Sequence, residues 1–132
     1  MQQINVVNAI IQYKGRFLIV QRNLKSRLHP GKWSFPGGKL KQEETILAGL
    51  KREIKEETSL EVDKSIIPIA EYQYKRPEEG ITLGKSFLVF AIHNKVRLSK
   101  ELSSFAWISP EELKNYQHIE GMEEELEKAK GL

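Results

Sequence analysis

The amino-acid sequence predicts a mixed α/β layer architecture, and two observations support this prediction. The first is the order of the elements, because two β-rich segments, an amphipathic helix, further strands and then helices follow one another along the chain. The second is the composition, since 39% hydrophobic and 30% charged residues are ordinary for a soluble globular protein. With 132 residues, the chain is expected to form a single domain over residues 1–132.

Strand and turn signals define the first part of the chain. Residues 6–13 are mostly apolar and β-branched, and residues 17–20 continue this pattern after Lys14 and Gly15, which predicts a hairpin. Residues 23–31 are polar and contain a proline and a glycine, so they are expected to form a loop.

A helix and three further strands are predicted next. The helix begins at Glu44 or Thr45 and ends near Thr58. Strands are expected at residues 67–74, 85–93 and 103–108, with a charged turn over residues 75–80.

Two helices are predicted towards the end of the chain. Ser109 is a suitable N-cap, Pro110 suits the first helical position, and Glu112 completes a capping box. Residues 120–130 are expected to form a last, strongly charged helix.

Charge is unevenly distributed, although the net charge is only +3. Basic side chains crowd the first third of the chain, and they would suit a polyphosphate ligand near a metal site; solvated loop charges are the alternative. No motif or interleaved aromatic pattern indicates a nucleic-acid polymer as partner. The basic residues are Lys14, Arg16, Arg22, Lys25, Arg27, Lys32 and Lys39.

Several functional classes are excluded or not indicated by the sequence. The chain has no cysteine, which rules out disulfides, thiolate metal sites and a cysteine nucleophile. No run of about 18 apolar residues and no signal pattern are found, so neither a membrane nor export is indicated. A cytoplasmic location is the expectation.

Three glutamates are spaced to share one side of the predicted helix. Glu53, Glu56 and Glu57 stand at i, i+3 and i+4, close enough to hold one divalent cation. Oxygen-only ligation selects hard ions such as Mg²⁺ or Mn²⁺. Because such ions neutralise phosphate oxygens and activate water, the stretch predicts metal-dependent work on a phosphorylated ligand.

A solvated helix face is the alternative explanation for these glutamates. Two features weigh against it. Gly37 and Gly38 precede the helix and can supply positive φ or close backbone approach. Glu53 and Glu56 also lie beside an apolar stripe, and Glu57 falls almost within it, which is costly unless a partner such as a cation is present. The stripe consists of Ile46, Leu47, Leu50 and Ile54.

Residues 38–60, here called the box, resemble the signature of the Nudix hydrolase family. That signature is G-x5-E-x7-R-E-U-x-E-E-x-G-U, in which U is a bulky aliphatic residue. Ser59 stands where the pattern has its second glycine, at a helix end that favours a left-handed residue. The matching positions are Gly38, Glu44, Arg52, Glu53, Ile54, Glu56, Glu57 and Leu60.

The resemblance extends beyond the box. Residues 31–38 are similar to the family's strand-and-turn lead-in, and residues 17–22 to its second strand with a terminal arginine. Residues 105–113 resemble the late strand and the helix that follows it.

This resemblance implies an α/β/α sandwich with a mixed central sheet, in which the box forms a loop-helix-loop at the sheet's edge. It implies Mg²⁺-dependent hydrolysis of a nucleoside diphosphate linked to another group, with Mn²⁺ as an alternative ion. Similarity to MutT-like members favours a nucleoside triphosphate, including oxidised or non-standard ones, cleaved to the monophosphate and pyrophosphate. It also allows a homodimer.

By position, the resemblance assigns roles to the box residues. The metal ligands are expected to be the carboxylates of Glu53, Glu56 and Glu57 together with the carbonyl of Gly37 or Gly38, and Glu44 would join a second metal through water. Arg52 would orient the carboxylates. The expected ligands are Gly38, Glu44, Glu53, Glu56 and Glu57. The expected substrate contacts are Arg22, Gly37, Gly38 and Lys39.

The general base remains open at this point. Glu101 lies six residues before Trp107, a placement similar to the late-loop glutamate of some MutT-like members, and Glu53 and Glu56 are the alternatives. His29 is a candidate for the pocket mouth. Aromatic candidates for a base-stacking pocket, with burial in the core as the alternative, are Phe35, Tyr72, Tyr74 and Phe87.

Other functions compete with the leading one. ADP-ribose, nucleotide sugars and dinucleoside polyphosphates are rival substrates within the same chemistry. A non-catalytic, nucleotide-sensing domain is the alternative from another class, and the intact set of box glutamates disfavours it. An isoprenoid diphosphate isomerase would use a cysteine, which this chain lacks.

Overall fold

The computed structural model describes residues 3–27, 29–76 and 80–132, together with all of their side chains except those of Tyr74 and Arg76. The strands along the chain are β1 (Gln3–Tyr13), β2 (Arg16–Arg22), β3 (Trp33–Ser34), β4 (Gly37–Lys39), β5 (Val62–Arg76), β6 (Gly80–Ala91) and β7 (Leu102–Ile108). The helices are α1 (Ile46–Thr58), a 3₁₀ helix (Pro110–Asn115) and α2 (Met122–Lys130).

A mixed sheet forms the middle layer, with β3, β2, β1, β6 and β5 side by side in that order. β1 and β6 run parallel, and the other pairings are antiparallel. On its other edge, β1 pairs with β4 near its start and with β2 near its end, while β7 pairs with β2. β4 therefore brings Gly37 and Gly38, the glycine pair at the start of the box, against the centre of the sheet.

Two apolar cores lie on opposite faces of this sheet. Side chains alternate along β1, so that Val7, Ala9 and Ile11 pack on the side of α1, whereas Ile10 packs on the side of α2. Leu50 and Ile54 bring α1 to the first core. The second core includes Leu113, Met122, Leu126 and Ala129 from the helices that end the chain. The predicted α/β/α sandwich with a mixed sheet is confirmed.

The predicted hairpin at the start of the chain is also confirmed. Gln12 faces Phe17 and Tyr13 faces Arg16 across the turn. Lys14 and Gly15 both have positive φ, 48° and 79°, which is the conformation that suits the twist of a two-residue hairpin.

The later strands are longer than expected. β5 begins at Val62 rather than residue 67 and continues past Pro68, where the register to β6 shifts. The shift lets a proline without an N–H group remain in the strand. The predicted charged turn is shorter than residues 75–80, since Arg76 ends β5 and Gly80 begins β6; residues 77–79 lie outside the described residues.

Both predicted helices after β7 exist, with changed details. The first is a 3₁₀ helix in which the Glu112 carboxylate accepts hydrogen bonds from the Ser109 backbone N–H and hydroxyl, each at 2.9 Å. α2 begins at Met122 rather than residue 120, because Gly121 takes φ 94° as its N-cap.

α1 is capped at both ends, by a side chain at its start and by a left-handed residue at its end. Thr45 Oγ1 accepts a hydrogen bond from the Ala48 N–H at 3.1 Å, which makes Thr45 the N-cap. Ser59 adopts the left-handed conformation expected at this position, with φ 64° and ψ 12°. Within the described residues, no helix is long and apolar enough to cross a membrane.

Candidate active site

Gly37 and Gly38 lie directly against α1. An added Cβ on Gly38 would stand 2.5 Å from the Glu53 carboxyl carbon, and one on Gly37 would overlap the Val7 carbonyl oxygen. Neither glycine has a positive φ. Close approach, and not the left-handed conformation, is therefore what these two positions require.

Arg52 is the centre of an ion-pair network that joins both ends of the box. Its Nε and Nη2 donate to the two Glu44 oxygens at 2.7 and 2.9 Å, and Nη1 donates to Glu53 at 2.8 Å. Nη2 also donates to the Lys39 carbonyl oxygen at 3.0 Å. This fork ties the loop before α1 to the helix and orients two of the candidate metal ligands.

The same network sets the charge of Glu44. Hydrogen bonding from Arg52, followed by the Lys41 backbone N–H at 2.9 Å, lowers the pKa of Glu44 to about 2. In return, hydrogen bonding to Glu44 raises the pKa of Arg52. Glu44 is therefore ionised throughout the physiological range.

Glu57 has the opposite environment. Burial raises its pKa to about 7, and the nearby charges of Glu53 and Glu101 add to this, against the hydrogen bond from the Gly37 N–H and the charge of Arg22. The Gly37 N–H donates to Glu57 Oε1 at 3.2 Å. The positive charge near Glu57 is too small to stabilise an ionised carboxylate fully. A bound cation would supply that charge.

Glu53 and Glu56 differ in accessibility. The Glu53 side chain is 13% exposed, whereas that of Glu56 is 56% exposed and reaches only the edge of the Arg52 guanidinium, at 3.4 Å. Within the described ranges, no three acidic or histidine side chains converge on one point. The box carboxylates lie in one region, but among the described residues they do not form a preassembled metal site.

A cavity of about 320 Å³ opens beside Glu57. Glu101 lines it from the turn before β7, so the structure brings this candidate base to the same chamber as Glu57. Lys25, Lys100 and Arg22 place positive charge around the same space.

A second, larger cavity of about 630 Å³ lies between the sheet and the N-terminal end of α2. Its lining is mostly apolar and includes Ile4, Val6, Phe35, Ile119 and Met122. Gly38 and Lys39 line its edge nearest the box.

Arg22 joins the two cavities, because it lines both of them. Its Nε is buried and has no hydrogen-bond partner among the described residues. A guanidinium with an unused donor at this junction is suited to an anion such as a phosphate.

The aromatic candidates separate into two groups. Phe35 and Tyr72 line the larger cavity, together with His29. Phe87 is 5% exposed in the core beneath α1, on the opposite face of the sheet, so the core alternative holds for it. The side chain of Tyr74 lies outside the described part of the chain.

Sequence reasoning missed several residues that line these cavities. Lys100 stands in the turn before β7, far along the chain from Lys25, which was already among the basic residues suited to a polyphosphate. Asn8, Thr82 and Glu125 line the larger cavity; Asn8 and Glu125 share a face with buried apolar residues, whereas Thr82 shares one with Gly84 and Ser86. A polar residue on the buried face of a strand or helix was the signal that could have found them.

The sequence matches known proteins over nearly its full length. A family model described as NUDIX domain matches residues 1–129. The nucleoside triphosphatase NudI of Klebsiella pneumoniae is 30% identical over 128 residues, which cover 88% of this chain and 89% of that protein.

Solved structures agree with this match. The solution structure of the E. coli ORF135 protein is 30% identical with a TM-score of 0.78, over 97% of this chain and 89% of that one. The MutT NUDIX hydrolase of Burkholderia pseudomallei has a TM-score of 0.82 at 21% identity, over 97% of this chain and 98% of that one, and it supports the fold.

Proposed function

The chain belongs to the NUDIX family of hydrolases, and on this premise we propose that it cleaves a nucleoside triphosphate to the monophosphate and pyrophosphate in a Mg²⁺-dependent reaction. We propose the cytoplasm as its place of action. The observation that carries the substrate is the pair of adjoining cavities, one apolar and one lined by cations, which meet at Arg22 and the glycine pair.

The two cavities match the two halves of a nucleotide. The larger one, at about 630 Å³ and mostly apolar, has the size and character of a small-molecule site and would hold the nucleoside. The smaller one carries Arg22, Lys25 and Lys100 and would hold the phosphates beyond the first. A sugar in place of those phosphates would leave this positive charge uncompensated, which favours a triphosphate over ADP-ribose or a nucleotide sugar. The triphosphatase activity named for the Klebsiella relative supports the same choice.

The candidate ligands fit a hard divalent cation. Every donor is an oxygen, and no cationic side chain among the described residues forms a hydrogen bond with the buried Glu57 carboxyl. We assign Mg²⁺, with Mn²⁺ as an alternative, to Gly38, Glu44, Glu53, Glu56 and Glu57. When bound, the cation neutralises phosphate oxygens and polarises the phosphorus that is attacked.

The protein's own groups have separable tasks in this reaction. Arg22 and Lys39 hold phosphate oxygens, and the bare backbone at Gly37 and Gly38 lets the phosphate chain approach the helix. Arg52 acts as a positioning residue, since it holds Glu44 and Glu53 in place.

Glu101 is our choice for the general base. It lines the smaller cavity next to Glu57, and its exposed carboxylate can take a proton from water. The water oxygen bonds to the first phosphorus, counted from the nucleoside. The bond from that phosphorus to the oxygen that bridges it to the second phosphoryl group breaks, and pyrophosphate leaves with that oxygen. Glu53 is engaged by Arg52 at 2.8 Å, and this makes it a poorer base.

Product analysis with Mg²⁺ tests the proposal. The panel holds standard and oxidised nucleoside triphosphates, ADP-ribose, a nucleotide sugar and a dinucleoside tetraphosphate. We expect monophosphate and pyrophosphate from at least one triphosphate. Turnover of ADP-ribose or the dinucleotide alone would overturn the substrate, and tight binding without any turnover would point to a sensing domain.

A further inference from the structure

Two residues that line the larger cavity each carry a buried polar atom without a partner among the described residues. Thr82 Oγ1 and Glu125 Oε1 are inaccessible to solvent and form no hydrogen bond with any described residue. Both residues line the cavity, and Thr82 is only 1% exposed. Because buried polar groups in native proteins are almost always paired, such atoms inside a pocket indicate a ligand that completes them.

The sheet forms a polar floor at this place. Thr82, Gly84 and Ser86 alternate along β6 and all face α2, as Leu88 does further along the strand. Thr82 faces Ile4 across β1, and Ser86 faces Asn8. An apolar core would have large aliphatic side chains at these positions, so their small and polar character leaves room above the sheet.

An aromatic ring is fixed beside this floor. The Tyr72 ring lies over Gly84, where an added Cβ would overlap it. Asn8 Nδ2 donates to the Tyr72 hydroxyl at 2.6 Å, which fixes the far end of the ring. A ring fixed at both ends offers a base a rigid surface.

Glu125 faces the floor from α2. It stands three residues after Met122 and four before Ala129, both buried, so it occupies the buried face of the helix. Burial raises the pKa of its carboxyl, and the Ser86 hydroxyl beside it opposes this without forming a well-aligned hydrogen bond. A surface role does not explain a glutamate at this position.

We propose that Glu125 and Thr82 form the hydrogen-bonding edge of the nucleobase site and select a base with an exocyclic amino group. A carboxyl oxygen accepts an N–H donor whether or not the group is ionised. An oxo group facing the ionised carboxylate would set acceptor against acceptor, which is the kind of mismatch that discriminates bases strongly. The Thr82 hydroxyl can donate or accept, and so it serves the adjacent ring nitrogen in either state. The inference rests on the proposed nucleotide substrate.

Binding of nucleoside monophosphates to the metal-free protein tests the inference without catalysis. The matched pairs are CMP with UMP, AMP with IMP, and GMP with IMP, measured by calorimetry. We expect the amino-bearing member of at least one pair to bind at least about tenfold more tightly. Glu125→Leu should bring that ratio to within about twofold, whereas the exposed neighbour Glu127→Gln should leave it unchanged.

Thermal unfolding separates this role from a structural one. Since neither orphan atom has a partner to lose, Glu125→Leu and Thr82→Val should melt at or above the wild-type temperature while nucleotide binding weakens. If Glu125→Leu fails to fold, Glu125→Gln keeps the side-chain volume and should lower the same ratio, because it replaces one acceptor by a donor.

Equal affinity within all three pairs, or a preference that survives in Glu125→Leu, would overturn the inference. Its outcome is independent of the proposed activity. Turnover of a triphosphate without preference for an amino-bearing base would support the proposed activity and contradict the inference. Amino selection in monophosphate binding without turnover of any triphosphate would do the reverse.

Discussion

The Glu57 carboxyl lies in an environment that differs strongly from water, and burial raises its pKa. Its carboxyl is largely buried, accepts one backbone hydrogen bond from Gly37, and lies near the negative charges of Glu53 and Glu101. Glu44, which directly precedes the N-cap of the same helix, is held ionised by Arg52. Two glutamates of one motif thus differ in pKa by about 5 units, 7 against 2, because one has a guanidinium and the other has none in contact.

The first prediction concerns activity. Glu57→Gln should lower turnover more than about 100-fold, since it removes a charged ligand from the proposed cation site. The fold should persist, because the amide oxygen can still accept the Gly37 N–H and glutamine suits a helix. Steady-state kinetics with varied Mg²⁺ is the measurement, and exposed Glu61→Gln is the matched control. Full turnover with unchanged metal dependence would show that Glu57 is not a ligand.

The second prediction concerns pH and the metal-free protein. Folding raises the pKa of Glu57 from 4.5 to about 7, so the folded state binds the proton more tightly. The bound proton therefore stabilises the folded state. This stabilisation is fully present below pH 4.5 and is lost as the pH rises through 7. The loss should be roughly 3 kcal/mol.

Glu57→Gln has no such proton to lose. The free energy of unfolding from urea titrations with chelator, taken at pH 5, 6, 7 and 8, should therefore shift in favour of the variant as pH rises. Parallel curves for the two proteins would refute the raised pKa.

At the scale of elements, α1 shows how a departure from the family signature is accommodated. Ser59 takes the left-handed conformation that a glycine would take more easily, and its N–H still donates to the Lys55 carbonyl at 3.0 Å. Its hydroxyl adds a hydrogen bond of 3.1 Å to the Arg97 carbonyl, which glycine lacks. This bond ties the end of the helix to the segment between β6 and β7.

The third prediction uses this cap. Ser59→Ala should lower the free energy of unfolding by about 1 kcal/mol, because it keeps the left-handed strain and loses the hydrogen bond. Ser59→Gly should stay within about 0.5 kcal/mol of wild type, since relief of strain offsets the lost bond and the added chain entropy. Denaturant unfolding of the three proteins measures both. A stable alanine variant would mean that the Arg97 contact contributes nothing.

At the scale of the whole molecule, the site lies where distant segments meet. The smaller cavity takes Lys25 from the loop after β2, Glu57 from α1, and Lys100 and Glu101 from the turn before β7. The larger cavity takes its walls from β1, β5, β6 and α2. The partition between an apolar and a cationic chamber is a property of the assembled sandwich.

The fourth prediction tests that partition. Replacing Lys25 and Lys100 together by alanine should lower kcat/KM for a nucleoside triphosphate about tenfold, as two cation contacts to the distal phosphates are lost. The matching nucleoside diphosphate should change less than about twofold. Lys64→Ala, on the exposed side of β5, serves as the control. An equal loss for both nucleotides would place the lysines near the phosphates that both share.

Features that depend on neighbours along the chain could be predicted from the amino-acid sequence. The hairpin at Lys14 and Gly15, the caps at Thr45 and Ser59, and the spacing of Glu53, Glu56 and Glu57 on one helix are local, since turn chemistry and the helical period act within a few residues. The family signature rests on the same local spacing. For that reason the fold and the reaction class were predictable.

Contacts between distant elements could be read only from the folded protein. Gly38 lies against Glu53, Glu101 lines the same cavity as Glu57, and Thr82 lines the same cavity as Glu125. Their cause is the register of β1 with β4 and β6 and the packing of α2 on the sheet, which no short-range pattern contains. The pKa of Glu57 and the shape of the base site follow from burial, and burial exists only once the layers have closed.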